Sequence, residues 1–183
     1  MAVYSDVRKA IRRASIQSLI EFFPTTDSQN KGIIFSHVNG TEPSTPYVVI
    51  NILGIEQQGK HVTSPLLDSS QAFVNVRAAY EITVQFSFCG SLAGDMAQSF
   101  TQRINNNPLS LESLTREKLS VMRKTTIRRA PQKRDTQWVE YFNQDVVFAY
   151  VVNTEQPIDW VETVIVDNEY TGTFTVPEGV PIP

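Results

Sequence analysis

Residues 77–90 read RAAYEITVQFSFCG, and their alternation decides what kind of fold the chain can adopt. Tyr80, Ile82, Val84, Phe86 and Phe88 fall on one side of an extended chain, and Glu81, Thr83, Gln85 and Ser87 fall on the other. A strand with one apolar and one polar row belongs to an antiparallel sheet covered on a single face. The polar row is left for water or for a second subunit.

The cover for the apolar row follows directly. In SLAGDMAQSFTQRINNNP, residues 91–108, Ala93, Met96, Ala97, Phe100 and Ile104 recur at helical spacing, and the asparagine run with Pro108 ends the pattern. CGSLAGD, Cys89 to Asp95, reads as the strand-to-helix turn. A second cover lies at the start of the chain, where Ser5 or Asp6 caps a helix. Its Val7, Ala10, Ile11, Ala14, Ser18 or Leu19, and Phe22 share one face before Pro24 stops it. Arg8, Lys9, Arg12 and Arg13 sit mostly opposite, as expected of a helix packed on a sheet.

Upstream of the deciding strand, IIFSHV and YVVINILGI (Tyr47–Ile55) are short and rich in β-branched residues, which predicts strands. The polar run QQGKHVTSPLLDSSQ, residues 57–71, reads as a long hairpin loop. Downstream, a short helix is expected near Leu111–Leu119 and a strand over Ser120–Lys124. TIRRAPQKRD, with Pro131 inside it, cannot be a continuous helix and reads as a protruding loop. Trp138–Val152 then reads as one long strand, with Trp138 and Phe142 on one face and Tyr141 on the other, so that these rings largely build the core. Past Pro157, DWVETVIVDN and EYTGTFTVP suggest a final hairpin and a Pro-rich end. The expected class is α+β: a mostly antiparallel sheet covered by two main helices, with a C-terminal β-hairpin or extended arm. The expected organisation is a domain over 1–156 and an arm over 157–183, packed on that domain or on a neighbour.

At 183 residues the chain can bury a core without disulfide or metal staples. The lone Cys89 reads as a buried thiol, and no apolar run approaches the length that spans a bilayer. With charges where a leader would need an apolar core, synthesis in a cytoplasm is the expectation. The net charge of −3 hides a segregation. Residues 123–134 hold six Lys or Arg and no acid, whereas residues 135–183 hold nine Asp or Glu and no Lys or Arg. Such a chain suits either nucleic acid or a subunit whose positive patch meets a neighbour's negative one.

No catalytic signature accompanies this charge. His37 and His61 lack partners at metal-ligand spacing, and neither a phosphate-cradling glycine loop nor a nucleophile elbow is present. The reading is of a protein that is not an enzyme and needs no cofactor or metal. A basic segment followed by Trp138, Tyr141 and Phe142 also has the composition of a nucleic-acid patch with stacking rings, which the acidic remainder of the chain opposes.

Three blocks carry a family resemblance: TPYVVINILGIEQQGKH (45–61), AYEITVQFSFCGSLAGDMAQSFTQRINNN (79–107) and VMRKTTIRRAPQKRDTQWVEYFNQDVVFAYVV (121–152). Together they resemble the tail terminator proteins of tailed bacteriophages, of the lambda type, and in particular the neck terminators of phages and prophages. The resemblance implies a structural virion protein, assembled in the host cytoplasm, that forms a homohexameric ring on top of the tail tube. Such a ring ends tube polymerisation and joins the tail to the head connector. Its implied partners are the tail tube protein and head-tail connector proteins, with sheath or collar proteins as further candidates. Genomic DNA would pass through the lumen without being read. Head-side connector or adaptor rings are the alternative. On charge, Arg123, Arg128, Arg129, Lys133 and Arg134 are the expected contacts to an acidic surface of the neighbour or the tube.

Overall fold

The computed structural model describes residues 3–24, 32–36, 43–68, 71–134 and 136–158. Among them are three helices, α1 (Val3–Ser18), α2 (Ala93–Arg103) and α3 (Pro108–Arg116). The strands are β1 (Ile33–Phe35), β2 (Tyr47–Asp68), β3 (Gln71–Cys89), β4 (Leu119–Lys124), β5 (Arg128–Arg129), β6 (Gln132–Arg134), β7 (Gln137–Val139) and β8 (Tyr141–Ile158). The chain forms two compact units, Met1–Gln58 with Ala79–Val151, and Gly59–Ala78 with Val152–Pro183.

In the first unit the sheet runs β1-β2-β3-β8-β4, with β5 also on β8. β1 lies parallel to β2, while β4 and β5 lie antiparallel to β8. The class is α+β, as the alternation at 77–90 predicts. Ile82, Val84, Phe86 and Phe88 are all buried, and the Phe100 ring of α2 sits 4.5 Å from Phe86 and 5.5 Å from Phe88. Met96, Ala97 and Ile104 complete that helix face. On α1 the predicted residues Val7, Ala10, Ile11, Ala14, Ser18 and Leu19 are buried, though the helix itself closes at Ser18 and a turn carries the chain to Phe22. Pro108 does not merely end α2. It opens α3, where its missing N–H costs nothing, and the Asn107 side chain caps the helix by accepting from Leu109 N at 2.9 Å. α3 docks on α1 through buried hydroxyls, with Ser18 Oγ and Ser110 Oγ 2.9 Å apart.

Neighbouring strands repeat the two-sided pattern. Val48 and Ile50 of β2, and Val146 and Phe148 of β8, join the helix-facing core. Tyr47, Cys89 and Tyr141 form a smaller cluster on the reverse face, where the two tyrosine hydroxyls lie 2.9 Å apart. Cys89 is buried, as expected.

Three expectations are corrected. The run 57–71 is not a hairpin loop: β2 continues to Asp68 and β3 begins at Gln71. In the second unit the described strand segments are 59–68, 71–78 and 152–158, and residues 59–64 are exposed throughout. The strand expected over 138–152 is broken at Glu140, and Trp138 belongs to β7 rather than to the core strand. The basic segment is not an open loop, since β5 pairs with β8 and β6 pairs with β7. The final hairpin and the boundary expected at 156–157 fall largely outside the described residues.

Candidate protein interface

The basic segment lies along the β4 edge of the sheet, and its geometry sorts its cations. β4 and β8 pair regularly from Leu119↔Tyr150 to Val121↔Phe148, and the register then shifts so that Arg123, not Met122, faces Val147. Leu119 and Val121 point to the helices. After this bulge Lys124 does so, opposite buried Val146, while Arg123 shares the reverse face with Val147. Lys124 Nζ donates to Thr101 O, near the C-terminus of α2, at 2.6 Å. There a cation meets the negative end of the helix dipole. Thr101 Oγ1 donates to Gln144 Oε1 at 2.8 Å, and Gln144 Nε2 donates to Thr125 O at 3.0 Å, so the buried Gln144 amide is held at both ends.

Arg128 and Arg129 are exposed but engaged. Arg128 Nη2 reaches Asp145 Oδ2 at 2.6 Å, and Asp145 also accepts from Gln85 Nε2 at 3.3 Å. Arg129 pairs with Glu140. Arg123 and Lys133 are exposed and make no ion pair among the described residues. Arg134 lies in β6, and its side chain falls outside the described set. The structure thus brings the five predicted cations onto one edge and its adjoining hairpin, with two of them internally neutralised.

Sequence reasoning missed the most prominent side chain here. Trp138 is 71% exposed, and its register partner across the β6-β7 hairpin is Lys133. Paired residues of a hairpin project to the same side, so both side chains belong to one face of it. Met122, the residue skipped by the register shift, is 56% exposed on the same edge. The polar DTQ before Trp138 was the available signal, because it leaves no apolar row for the ring to join. Tyr141 is buried and Phe142 packs against the core, so two of the three rings are structural. Nearby, Asn143 Oδ1 is buried without a hydrogen-bond partner.

Among the described residues no cluster of His, Cys, Asp or Glu could hold a metal, and no helix is long and apolar enough to cross a membrane. Exposed tryptophan and methionine beside arginine are the residue types enriched at protein interfaces.

The phage neck terminator protein family matches residues 5–173. The chain belongs to that family, whose members are structural proteins of the phage neck. No curated protein matches the chain. A solved chain described as "Virion of native gene transfer agent (GTA) particle" is similar at 13% identity, over 84% of this chain and 92% of that one. Its TM-score is 0.26, and at that value the likeness carries no structural or functional argument.

Proposed function

We propose that this neck protein assembles into a homohexameric ring on top of the tail tube, ends tube polymerisation there, and presents the surface that joins tail to head connector. The observation that carries the reading is the β4 edge: exposed Trp138 and Met122 among Arg123, Lys133 and the paired Arg128 and Arg129. The C-terminal quarter has nine acids and no Lys or Arg, and of these Asp145 and Glu140 already pair with Arg128 and Arg129 on this edge, which leaves seven for a second face. A head-to-tail ring needs two different, complementary faces on each subunit, and segregated charge supplies them. The tail tube protein below and the connector proteins above are the remaining partners in this reading, with sheath or collar as further neighbours. In this reading residues 157–183 are an arm for the 1–156 domain or for a neighbouring subunit. The protein resides in the virion, at the top of the tail, after assembly in the host cytoplasm.

Electron microscopy of purified protein and of tails from infected cells tests it. The expected result is rings of about 124 kDa, six copies of a 20.6 kDa chain, decorating the upper tube end. Twelve-fold rings bound to head connectors instead would place the protein on the head side. Arg123→Glu with Lys133→Glu should leave a folded subunit that fails to cap tubes. These positions are preferred to Arg128 and Arg129, whose reversal would set new acids against Asp145 and Glu140 and disturb the fold itself.

The neighbouring Trp138 and Lys133 also favour a second reading, a stacking contact to DNA in the neck. Salt-dependent oligonucleotide binding that disappears in Trp138→Ala would select it.

A further inference from the structure

Charge alone does not complete the β4 edge. Trp138 and Met122 are exposed there beside Arg123 and Lys133, so a matching partner brings apolar side chains together with a carboxylate. Asp145 and Glu140 are already engaged by Arg128 and Arg129 within the edge itself.

The first unit carries both kinds of group on β2 and β3. Leu53 and Ile55 are half-exposed, two positions apart on β2 and therefore on one side of the strand. Tyr47 and Val49 precede them at the same spacing and belong to the reverse-face cluster, so that side faces away from the helices. Gly54, between the two, has nothing within 4 Å of where a Cβ would stand. On β3, Ile82 is buried toward the helices, which turns Glu81 to the same reverse face. There Glu81 accepts from Gln58 Nε2 at 2.9 Å and makes no ion pair among the described residues. Leu109 and Leu111 of α3 are exposed as well, but a helix turns residues two apart to different sides, and α3 leads directly into β4.

We propose that Trp138 and Met122 of one copy pack on Leu53 and Ile55 of a second copy, with Lys133 and Arg123 meeting Glu81, a contact that rests on reading the β4 edge as a subunit interface. β2 and β4 stand on opposite sides of β3 and β8 in the sheet order. Complementary patches on opposite flanks join copies head to tail, with one patch of each kind in every joint. The carboxylate of Glu81 repels phosphate, so a second copy suits this face and DNA does not.

The test uses full-length protein with the photoreactive p-benzoylphenylalanine in place of Trp138, prepared as a mixture of isotope-labelled and unlabelled chains and irradiated both in solution and on tails. Mass spectrometry should find cross-links that join a labelled to an unlabelled chain and end at residues 53–56. Glu81→Lys should weaken association about tenfold, and Lys133→Glu in the same chain should restore it, since reversing both charges rebuilds the pair. Leu53→Ser with Ile55→Ser should weaken association at an unchanged melting temperature. Cross-links that end only in residues 159–183, only in a tube or connector protein, or only within one chain would each overturn the contact. Association indifferent to Glu81→Lys, or no link between copies either in solution or on tails, would overturn it too. Rings that cap tubes while cross-linking elsewhere refute this contact and leave the terminator reading standing. Rings held by this contact but seated on head connectors support the contact and refute that reading.

Discussion

Lys124 Nζ lies 2.6 Å from Thr101 O, so one cation of the basic segment is part of the fold and not of the surface. Lys124→Met should therefore destabilise the subunit by about 1–2 kcal/mol, the worth of a hydrogen bond to a charged group at a half-buried site. Arg123→Ser, one residue away and exposed, should change stability by no more than about 0.5 kcal/mol. Urea denaturation of both variants checks the contrast, and equal losses would contradict the assignment of the two faces.

Trp138 makes the converse case. Its ring is 71% exposed, so Trp138→Ala should shift stability by at most about 0.5 kcal/mol. Loss of a central aromatic anchor from an interface typically costs about 2 kcal/mol or more of association. Sedimentation or mass photometry of the variant should show weakened assembly with an unchanged melting temperature. A lowered melting temperature with unchanged assembly would mean the ring serves the hairpin alone.

The Tyr47 hydroxyl gives an alkaline signature. Burial, hydrogen bonding with Cys89 and hydrogen bonding with Tyr141 all raise its pKa above the ordinary 10.0. The folded chain therefore holds this proton to higher pH than the unfolded chain does. The stability this confers is complete below about pH 10 and falls as pH rises beyond it. Tyr47→Phe should flatten that decline while costing about 1 kcal/mol at neutral pH, because the hydrogen bond between the two hydroxyls is lost. Melting curves from pH 8 to about 11 measure both effects.

Glu21 acts in the opposite range. A hydrogen bond from Ser99 Oγ at 2.6 Å lowers its pKa below the ordinary 4.5; desolvation opposes that shift, and the charge and hydrogen bond of Arg103 at 2.8 Å add to it. Its contribution is present above that ordinary value and is lost as pH falls through the lower folded one. Because the carboxylate is exposed, the effect is small, under about 1 kcal/mol. Glu21→Gln should remove part of the acid sensitivity near pH 4 and leave stability at pH 8 almost unchanged, as followed by circular dichroism.

How far the sequence could be read followed from where each segment is buried. α1, α2 and the inner half of β3 each press one face on a common core, so their apolar residues carry the period of the element. Residues 53–64 of β2 are exposed on both faces, and a strand with no buried side leaves no alternation to find. Leu53, Ile55 and Val62 remain in the open there, where a burial argument had no purchase. The same gap hid Trp138, since aromatic residues next to a core strand are usually part of it, and only the break at Glu140 separates them. The five cations were legible as a cluster. Their division into paired and unpaired members was not, because Asp145 and Glu140 reach Arg128 and Arg129 only through the β5-β8 register.

The register shift at Met122 has an evolutionary corollary. By adding one residue to a strand of period two, it acts as a parity switch that assigns adjacent cations, Arg123 and Lys124, to opposite destinies: one for partners and one for the subunit's own interior. Deleting Met122 would remove the bulge and leave Arg123 opposite Val147 and Lys124 opposite Val146, whereas a regular register that kept Met122 would send Arg123 toward α2 and Lys124 outward. A lineage could thus straighten this strand by a single-codon deletion without changing which cation the edge shows to its neighbours.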